Sequence, residues 1–329
     1  MTGATVGRRA ALGVLAAPAL AARDAWAQGR VAWPSDKPVR IIVPLAAGGT
    51  ADFLARLLAA RLGDVTGLSF VVENRTGGSG AVGWLAGARA APDGATLLMM
   101  DNSLPIGAAA GRELGFDART DLEPLWLLAG FAPIVLVGAG SPARDLRGFV
   151  EFAKQRPEAL FYGTNGIGSV THLQTELLME VTGMRLSHVP YRGMAQAVTD
   201  MIAGQIHLML PVFPTVAGQV RSGAVRALAV GAEVRTPALR DVPTAREAGV
   251  DFAQGTWFGL MLPRGTGAVA KAAMQGALAA AMGEAAFRAR LEEAGATVPE
   301  NTADSFARVF EAELALWPRV LRERNIRIE

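Results

Sequence analysis

The segment VRIIVPLAAGGTAD, residues 39–52, predicts the fold class of the whole chain. Its first five residues are apolar except for Arg40, as in a strand that is covered on both faces of a parallel sheet. Two adjacent glycines, Gly48 and Gly49, form a turn, and leucines then recur at helical spacing, at positions 54, 57, 58 and 62. A buried strand, a glycine turn and an amphipathic helix in this order form the first unit of an α/β fold.

The same alternation of short apolar runs and helical patterns continues along the chain. Ligands of such folds bind at the carboxyl ends of the strands, so the turns that follow the strands are the places to search. We also predict an alanine-rich helix over 268–289 and a long last helix from about residue 302, which Pro318 should kink or interrupt. The predicted strands are 39–45, 69–73, 96–100, 125–128, 134–137, 160–162, 186–189, 206–210, 225–230 and 257–262.

Composition excludes several classes of protein. The chain has 329 residues, 51% of them hydrophobic, which is enough for two cores and argues against disorder. It has no cysteine, so disulfide scaffolds, thiolate metal sites and thiol nucleophiles are excluded. The three histidines, His172, His188 and His207, lack the spacing of metal ligands, and no G-x-S-x-G motif is present. No basic block marks a nucleic-acid surface, so we expect no metal, no cofactor and no nucleic-acid partner.

Residues 1–27 are predicted to be a cleaved secretory signal. Arg8 and Arg9 precede an uncharged run, residues 10–22, and a small-x-small cleavage site ends at Ala27. The run is too short to span a bilayer, and the arginine pair leaves twin-arginine export open. Removal of this segment brings the formal net charge from +2 to zero. We expect a periplasmic protein, the alternative being a cytosolic protein with a helical N-terminus.

Two glycine-rich turns between a strand and a helix are the candidate binding elements. The first is residues 44–52, and the second is YGTNGIGSVTH, residues 162–172. Glycine lets backbone N–H groups approach a ligand, and the following helix N-terminus favours an anion. Such turns also occur as plain connections in α/β proteins, so either turn alone has a structural explanation. Two of them are better explained as a clamp around one ligand.

A third glycine motif supports a different hypothesis. GSGAVG, from Gly78 to Gly83, matches the dinucleotide fingerprint, and Asp101 follows at the end of another predicted strand. However, residues 74–77 separate the preceding strand from the motif, whereas the first glycine of the fingerprint should itself make the turn. A secreted nicotinamide-dependent oxidoreductase therefore remains the alternative function.

Eight segments, in order along the chain, carry a resemblance to a known family: WPSDKPVRIIVP at 33–44, AGG with Asp52 at 47–52, VVENR at 71–75, PDGATLL at 92–98, HVPYRG at 188–193, RALAV at 226–230, DVPT at 241–244 and WFGL at 257–260. In these segments the sequence resembles the Bug-type extracytoplasmic solute receptors, the substrate-binding subunits of tripartite tricarboxylate transporters. The match covers nearly the whole chain after residue 27.

The resemblance implies a two-lobed periplasmic-binding-protein fold of type II, each lobe a mainly parallel sheet flanked by helices. Lobe one would comprise residues 30–130 and 256–329, and lobe two residues 131–255. The lobes would close on a small carboxylate and deliver it to the membrane subunits of a transporter, without a chemical step. The receptor would be a monomer that does not itself span the membrane, and its ligand would be held largely by backbone amides and ordered waters.

The resemblance also implies which residues meet the ligand. Lobe one would contribute its glycine turn and the residues after a strand end, and lobe two its own glycine turn: Ala47, Gly48, Gly49, Thr50, Asp101, Asn102, Ser103, Thr164, Asn165, Gly166 and Ser169. From its position on the helix after the second turn, His172 is expected to be a packing or ligand-contact group.

One departure from the family concerns the choice of ligand. Pro211 and Val212 stand where relatives tend to carry an Asp-Asn pair. If these residues line the site, an apolar surface favours a carboxylate with an uncharged tail over an amino acid, because a buried ammonium needs an acidic or carbonyl partner. The alternative is that Pro211 only ends a strand.

Overall fold

The computed structural model describes residues 33, 37–111, 113–191, 193–299 and 303–328. The predicted secretory signal, residues 1–27, lies outside the described residues. All ten predicted strands are present, with small shifts at their ends, and a two-residue strand late in the chain was not predicted. The strands are β1 Val39–Val43, β2 Phe70–Asn74, β3 Thr96–Asp101, β4 Leu122–Phe131, β5 Ile134–Gly138, β6 Phe161–Thr164, β7 Ser187–Pro190, β8 Leu208–Met209, β9 Val225–Val230, β10 Thr256–Pro263 and β11 Ala296–Thr297.

The helices lie between and after the strands. They are α1 Thr50–Thr66, α2 Ala81–Ala88, α3 Ser103–Ala109, α4 Leu146–Lys154, α5 Val170–Thr182, α6 Met194–Ile202, α7 Phe213–Arg221, α8 Ala268–Gly283, α9 Ala285–Glu293 and α10 Ala303–Glu323.

Two predictions about these helices are corrected. The alanine-rich helix is two helices, because Glu284 is extended (ψ 123°) and separates α8 from α9. Pro318 does not interrupt α10, although it removes one backbone donor. Trp317 and Val320 on either side of the proline are fully buried, and this packing keeps the segment helical.

The strands form two separate sheets. The first has the order β11-β4-β10-β3-β1-β2, with β1 parallel to β2 and β3, and β10 antiparallel to β3 and β4. The second has the order β7-β6-β8-β5-β9, with β6 parallel to β7 and β8, and β5 antiparallel to β8 and β9. The predicted α/β fold with two sheets is confirmed, but the sheets are mixed rather than mainly parallel, because strands on either side of the crossovers run against their neighbours.

The chain passes between the sheets twice. It leaves the first sheet at the end of β4, enters the second at β5 after Ala132 and Pro133, and returns through residues 231–255 to β10. We call the unit around the six-stranded sheet lobe one and the unit around the five-stranded sheet lobe two. Helices cover both faces of each sheet, so each lobe has an apolar cluster on either side.

Helix α10 contacts both lobes. Its first half places Phe306 and Phe310 in the core of lobe one. Its second half joins Trp317 and Val320 with Leu173 of α5, which belongs to lobe two. The end of the chain is therefore packed across the junction between the lobes. Within the described ranges, no helix has the length and apolarity needed to cross a membrane.

Candidate functional site

A cavity of about 730 Å³ lies between the two lobes. Its size is within the range of pockets that enclose a small organic molecule. Both predicted glycine turns line it, residues 44–51 from lobe one and residues 165 and 167–171 from lobe two. The carboxyl ends of β1, β3 and β6 therefore all point toward one space, as the α/β pattern predicts.

The glycine turn of lobe one is held by a carboxylate one helical turn away. Gly48 has a positive φ of 82°, and its N–H donates to Oδ2 of Asp52 at 3.0 Å. Arg56 Nε donates to the same oxygen at 2.9 Å. The hydrogen bond from Arg56 lowers the pKa of Asp52 to about 2, although burial opposes it. Asp52 is therefore ionised at neutral pH and fixes the turn.

The neighbouring strand end secures the same turn from the other side. Asn74 Nδ2 donates to the carbonyl of Leu45 at 3.1 Å, and Arg56 Nη2 donates to Asn74 Oδ1 at 3.2 Å. The turn is thus tied to both α1 and β2. A turn that is held in this way loses less conformational freedom when a ligand binds to it.

The glycine turn of lobe two is organised by three side chains. Ser169 Oγ donates to the carbonyl of Gly166 at 2.7 Å and accepts from the N–H of His172, which caps α5. Thr164 Oγ1 lies 2.6 Å from His188 Nε2. Gly168 N–H donates to His172 Nδ1 at 3.0 Å. His172 therefore supports the turn from behind.

A stack of rings continues behind this turn. The ring centroids of His172 and His188 are 4.0 Å apart, and those of His188 and Tyr162 are 4.9 Å apart. Burial, with a contribution from His188, lowers the pKa of His172 to about 3, so the imidazole is neutral and its Nδ1 is free to accept. Tyr162 donates to Glu176 Oε1 at 2.6 Å, and Arg324 pairs with Oε2 of Glu176 at 2.7 Å. The stack connects the turn to the end of the chain.

Several helices begin at the cavity, α1, α5, α6 and α7 among them. The residues that line it include Thr50 at the start of α1, Val170 of α5, Met194 of α6 and Val212 just before α7. The first N–H groups of a helix have no acceptor within the helix and carry partial positive charge. The caps of α1, α6 and α7 make no side-chain hydrogen bond, so no side-chain acceptor competes at these ends. The arrangement suits an anion.

The side chains of the cavity add little charge to this arrangement. Of the described residues that line it, none is a lysine or an arginine, and Asp101 is the one charged residue. An anion would therefore be bound by helix N-termini and hydroxyl groups. Among the described residues, no group of three or more histidines and acids could hold a metal ion.

Asp101 ends β3 and is mostly buried. Its Oδ1 accepts from the N–H of Ser103 at 3.0 Å and from Ser103 Oγ. Burial raises the pKa of this carboxyl. The adjacent Asn102 points away from the cavity, accepting from Trp257 N at 2.9 Å and donating to Glu313 Oε1 at 2.7 Å. Burial raises the pKa of Glu313 to about 7.

The structure separates the predicted site residues into two groups. Eight of them line the cavity: Ala47, Gly48, Gly49, Thr50, Asp101, Ser103, Asn165 and Ser169. Four lie behind it and hold its wall in place: Asn102, Thr164, Gly166 and His172. Pro211 and Val212 also line the cavity, and Pro211 is directly connected to β5 because its carbonyl accepts from Ile134 N–H at 2.7 Å.

Several lining residues were not predicted. The start of α6 follows the turn at Gly193, whose strand-turn-helix pattern resembles the two turns that were chosen. Phe258 reaches the cavity from β10 and Ile328 from the end of the chain. Both residues are apolar and belong to no binding motif, so only the folded structure shows that they line the cavity.

The motif from Gly78 to Gly83 does not make a dinucleotide site. It follows β2, an edge strand, and β1 separates β2 from β3, whose last residue is Asp101. In the dinucleotide fold, the acidic residue ends the strand next to the one that precedes the glycines. A Cβ on Gly83 would be 2.6 Å from Pro44 Cα, so this glycine serves internal packing. The nicotinamide interpretation is not supported.

The comparisons with known proteins agree with this geometry. The family model described as "Tripartite tricarboxylate transporter family receptor" matches residues 54–326. Protein BugT of Bordetella pertussis is 32% identical over 297 residues, which are 89% of this chain and 91% of BugT. An R. palustris protein solved with adipate has 33% identity and a TM-score of 0.79, covering 90% of this chain and 99% of that one. MatC from Rhodopseudomonas palustris, solved with bound malate, has 30% identity and a TM-score of 0.76, covering 86% and 98%.

Proposed function

The chain belongs to the tripartite tricarboxylate transporter family of receptors, and on that premise we propose that it is a periplasmic solute-binding receptor. It captures a small carboxylate in the cleft between its lobes and delivers it to a membrane transporter, without a chemical step. We assign residues 30–130 and 256–329 to lobe one and 131–255 to lobe two, and we propose that the receptor acts as a monomer.

One observation carries the proposal: the N-termini of several helices, α1, α5, α6 and α7 among them, meet at a cavity whose described lining includes no basic side chain. A carboxylate fits such a site because it accepts several N–H bonds at once. The two neighbours solved with adipate and malate hold ligands of this class. A cationic ligand would meet unfavourable helix dipoles and a single carboxyl, Asp101.

Ligand capture follows from the position of the two glycine turns. They belong to different lobes, so both contact one carboxylate only when the lobes are close together. The ligand therefore stabilises the closed state by its differential affinity for it. Asp52 and His172 keep the two turns rigid, so that closure brings preformed sites together.

The apolar part of the cavity defines the other end of the ligand. Pro211, Val212, Phe258 and Ile328 line it without offering a charge. We therefore propose that the ligand has one carboxylate at the helix N-termini and an uncharged or aromatic tail. The described lobe-two lining contributes no acidic group for an ammonium.

A thermal-shift screen tests the function. Adipate, malate, succinate and benzoate are compared with their uncharged amides, and positive results are repeated by calorimetry. A ligand that binds only the folded state raises the melting temperature by mass action. We expect at least one carboxylate, and none of the amides, to raise it. Absence of any shift at millimolar concentration for the whole set would overturn the proposal.

A further inference from the structure

Asp101 is the one charged side chain on the described wall of a cavity that is otherwise suited to an anion. It lies at the carboxyl end of β3, opposite the registered partner Phe258 of β10. We propose that Asp101 binds the ligand anion as the neutral carboxylic acid, so that capture of the ligand takes up one proton from solvent. This inference rests on the proposed function, and it adds a proton to what the receptor captures.

The electrostatic argument is direct. A carboxylate ligand and an ionised Asp101 would share one partly enclosed cavity, where like charges repel far more strongly than in water. The described lining has no lysine or arginine to compensate the second charge. Protonation of Asp101 removes the repulsion between the two carboxylates and lets the Asp101 side chain donate a hydrogen bond to the ligand.

The hydrogen bonds around Asp101 fix where the proton resides. Oδ1 already accepts from the N–H and the hydroxyl of Ser103, so it acts as an acceptor in either protonation state. The proton therefore belongs on Oδ2, which can donate it to the ligand carboxylate. Charge-assisted bonds of this kind are among the strongest in proteins.

The titratable groups on the surrounding elements either favour the protonated form of Asp101 or have no effect on its protonation. Asn102, which follows Asp101 in the chain, donates to Oε1 of Glu313 on α10. Trp317 donates to Oε2 of the same carboxyl group. Asp52 of α1 is neutralised by Arg56, and His172 of α5 is uncharged. The sequences of α3 and of β10, the other elements packed here, contain no ionisable side chain.

Burial raises the pKa of both Asp101 and Glu313, and the charge of Asp101 adds to the effect on Glu313. An arriving anion raises the pKa of Asp101 further. A group whose pKa is higher in the complex than in the free receptor binds a proton on association, so affinity is greatest at low pH. It then falls by up to about tenfold per pH unit between the two pKa values.

Calorimetry measures this directly on the wild-type receptor. Adipate, malate and benzoate are titrated from about pH 6 to about pH 9, where their own carboxyls remain ionised. Each pH is repeated in two buffers of different ionisation enthalpy. We expect uptake of up to one proton per ligand and affinity that decreases as the pH rises. Release of a proton, no proton exchange, or affinity that rises with pH would overturn the inference.

Two variants separate the roles of the acids. Asp101→Asn keeps the shape and offers an N–H donor at every pH, so we expect binding without proton uptake. Glu313→Gln removes the neighbouring charge and should shift the proton uptake to lower pH. Glu293→Gln, an exposed acid outside the cavity, should leave the pH profile unchanged. Unaltered proton uptake in Asp101→Asn would show that another group is responsible.

The outcomes distinguish the two proposals. If none of the three carboxylates binds the wild-type receptor at any pH, the proposed function itself is wrong. If carboxylates bind without linked proton uptake, the function stands and the role of Asp101 is wrong.

Discussion

Ile328, close to the end of the chain, lies directly against Gly168 in the glycine turn of lobe two. A Cβ on Gly168 would come within 2.9 Å of three carbon atoms of Ile328, the nearest being Cδ1 at 2.4 Å. Ile328 also lines the cavity. Ile328 therefore forms part of the wall of the candidate site, beside a turn about 160 residues away in sequence.

We predict that Gly168→Ala weakens ligand binding several-fold, because the new methyl displaces Ile328 and disturbs the N–H that bonds His172. The positive φ of 73° adds roughly 1 kcal/mol of backbone strain. Calorimetry on the variant measures the affinity, and chemical denaturation measures the free energy of unfolding.

Gly204→Ala is the matched control for this variant. Gly204 also lies in lobe two with a positive φ of 77°, but a Cβ there meets nothing within 4 Å. It should show the strain without the loss of affinity. In an Ile328→Ala background, the additional cost of Gly168→Ala should shrink, since contacting residues couple by about 0.5–3 kcal/mol. Full additivity of the two substitutions would contradict the contact.

The first glycine turn leads to a second prediction. Gly49 has extended backbone angles (φ −82°, ψ 176°) that any residue adopts, and a Cβ would have only ordinary contacts. Gly49→Val should therefore fold normally while its side chain obstructs the carboxylate. Loss of one charge-assisted hydrogen bond, roughly 1.5–3 kcal/mol, lowers affinity about ten- to a hundredfold.

Gly267→Val controls for this substitution. Gly267 is also a helix N-cap, at α8, with open space around it, and it does not line the cavity. The ligand affinity of Gly267→Val should equal that of the wild type. Unchanged affinity in Gly49→Val would remove the turn of lobe one from the site.

The third prediction concerns acid stability. The pKa of Asp52 is lowered to about 2, so its interactions stabilise the fold above the unfolded pKa near 3.8. This stabilisation is lost as the pH falls from that value through about 2. Asp52→Asn should cost roughly 1–2 kcal/mol at pH 7, a figure reduced because its partner Arg56 is half exposed.

Denaturation as a function of pH measures this cost. The difference between wild type and Asp52→Asn should be constant from neutral pH to about pH 5 and should shrink below about pH 4. Asp64→Asn, on the same helix but largely exposed, should change stability by less than about 0.5 kcal/mol. An equal effect of the two substitutions would mean that the Asp52 network does not stabilise the turn.

Ligand choice supplies the fourth prediction. Pentanoate and 2-aminopentanoate differ by one ammonium group, which the apolar residues Pro211 and Val212 cannot satisfy. We expect pentanoate to bind more tightly than 2-aminopentanoate, and benzoate more tightly than aspartate or glutamate, in parallel calorimetric titrations. Selective binding of the amino acids would show that another group, Asp101 first of all, accepts the ammonium as an anion.

The fifth prediction concerns maturation. Arg8 and Arg9, the apolar run after them and the small residues before Gln28 predict export and cleavage after Ala27. N-terminal sequencing of the protein from the periplasmic fraction should begin at Gln28. An intact Met1 on a cytosolic pool would contradict the prediction.

Sequence reasoning identified the strands and the two glycine turns because local patterns encode them. Apolar runs mark buried strands, and glycines mark turns, without knowledge of distant contacts. Sequence reasoning could not place Ile328 in the cavity, because no sequence pattern predicts that an apolar residue near the chain end contacts Gly168. The resemblance implied Asn102 as a ligand contact, and His172 was chosen for its position after the second glycine turn, yet their hydrogen bonds go to Trp257 and Gly168. The direction of a side chain depends on packing that only the assembled sheets define.

The packing of α10 across the junction has a kinematic consequence. Two lobes joined by two neighbouring crossover segments can rotate relative to each other about a hinge axis that passes through both segments. The contact of Trp317 with Leu173, together with the pair Arg324 and Glu176, adds a third attachment. Unless this attachment lies on the hinge line, any swing must separate or repack it. We therefore expect the last helix of the chain to limit the angle of such a swing and the rate of ligand exchange that depends on it.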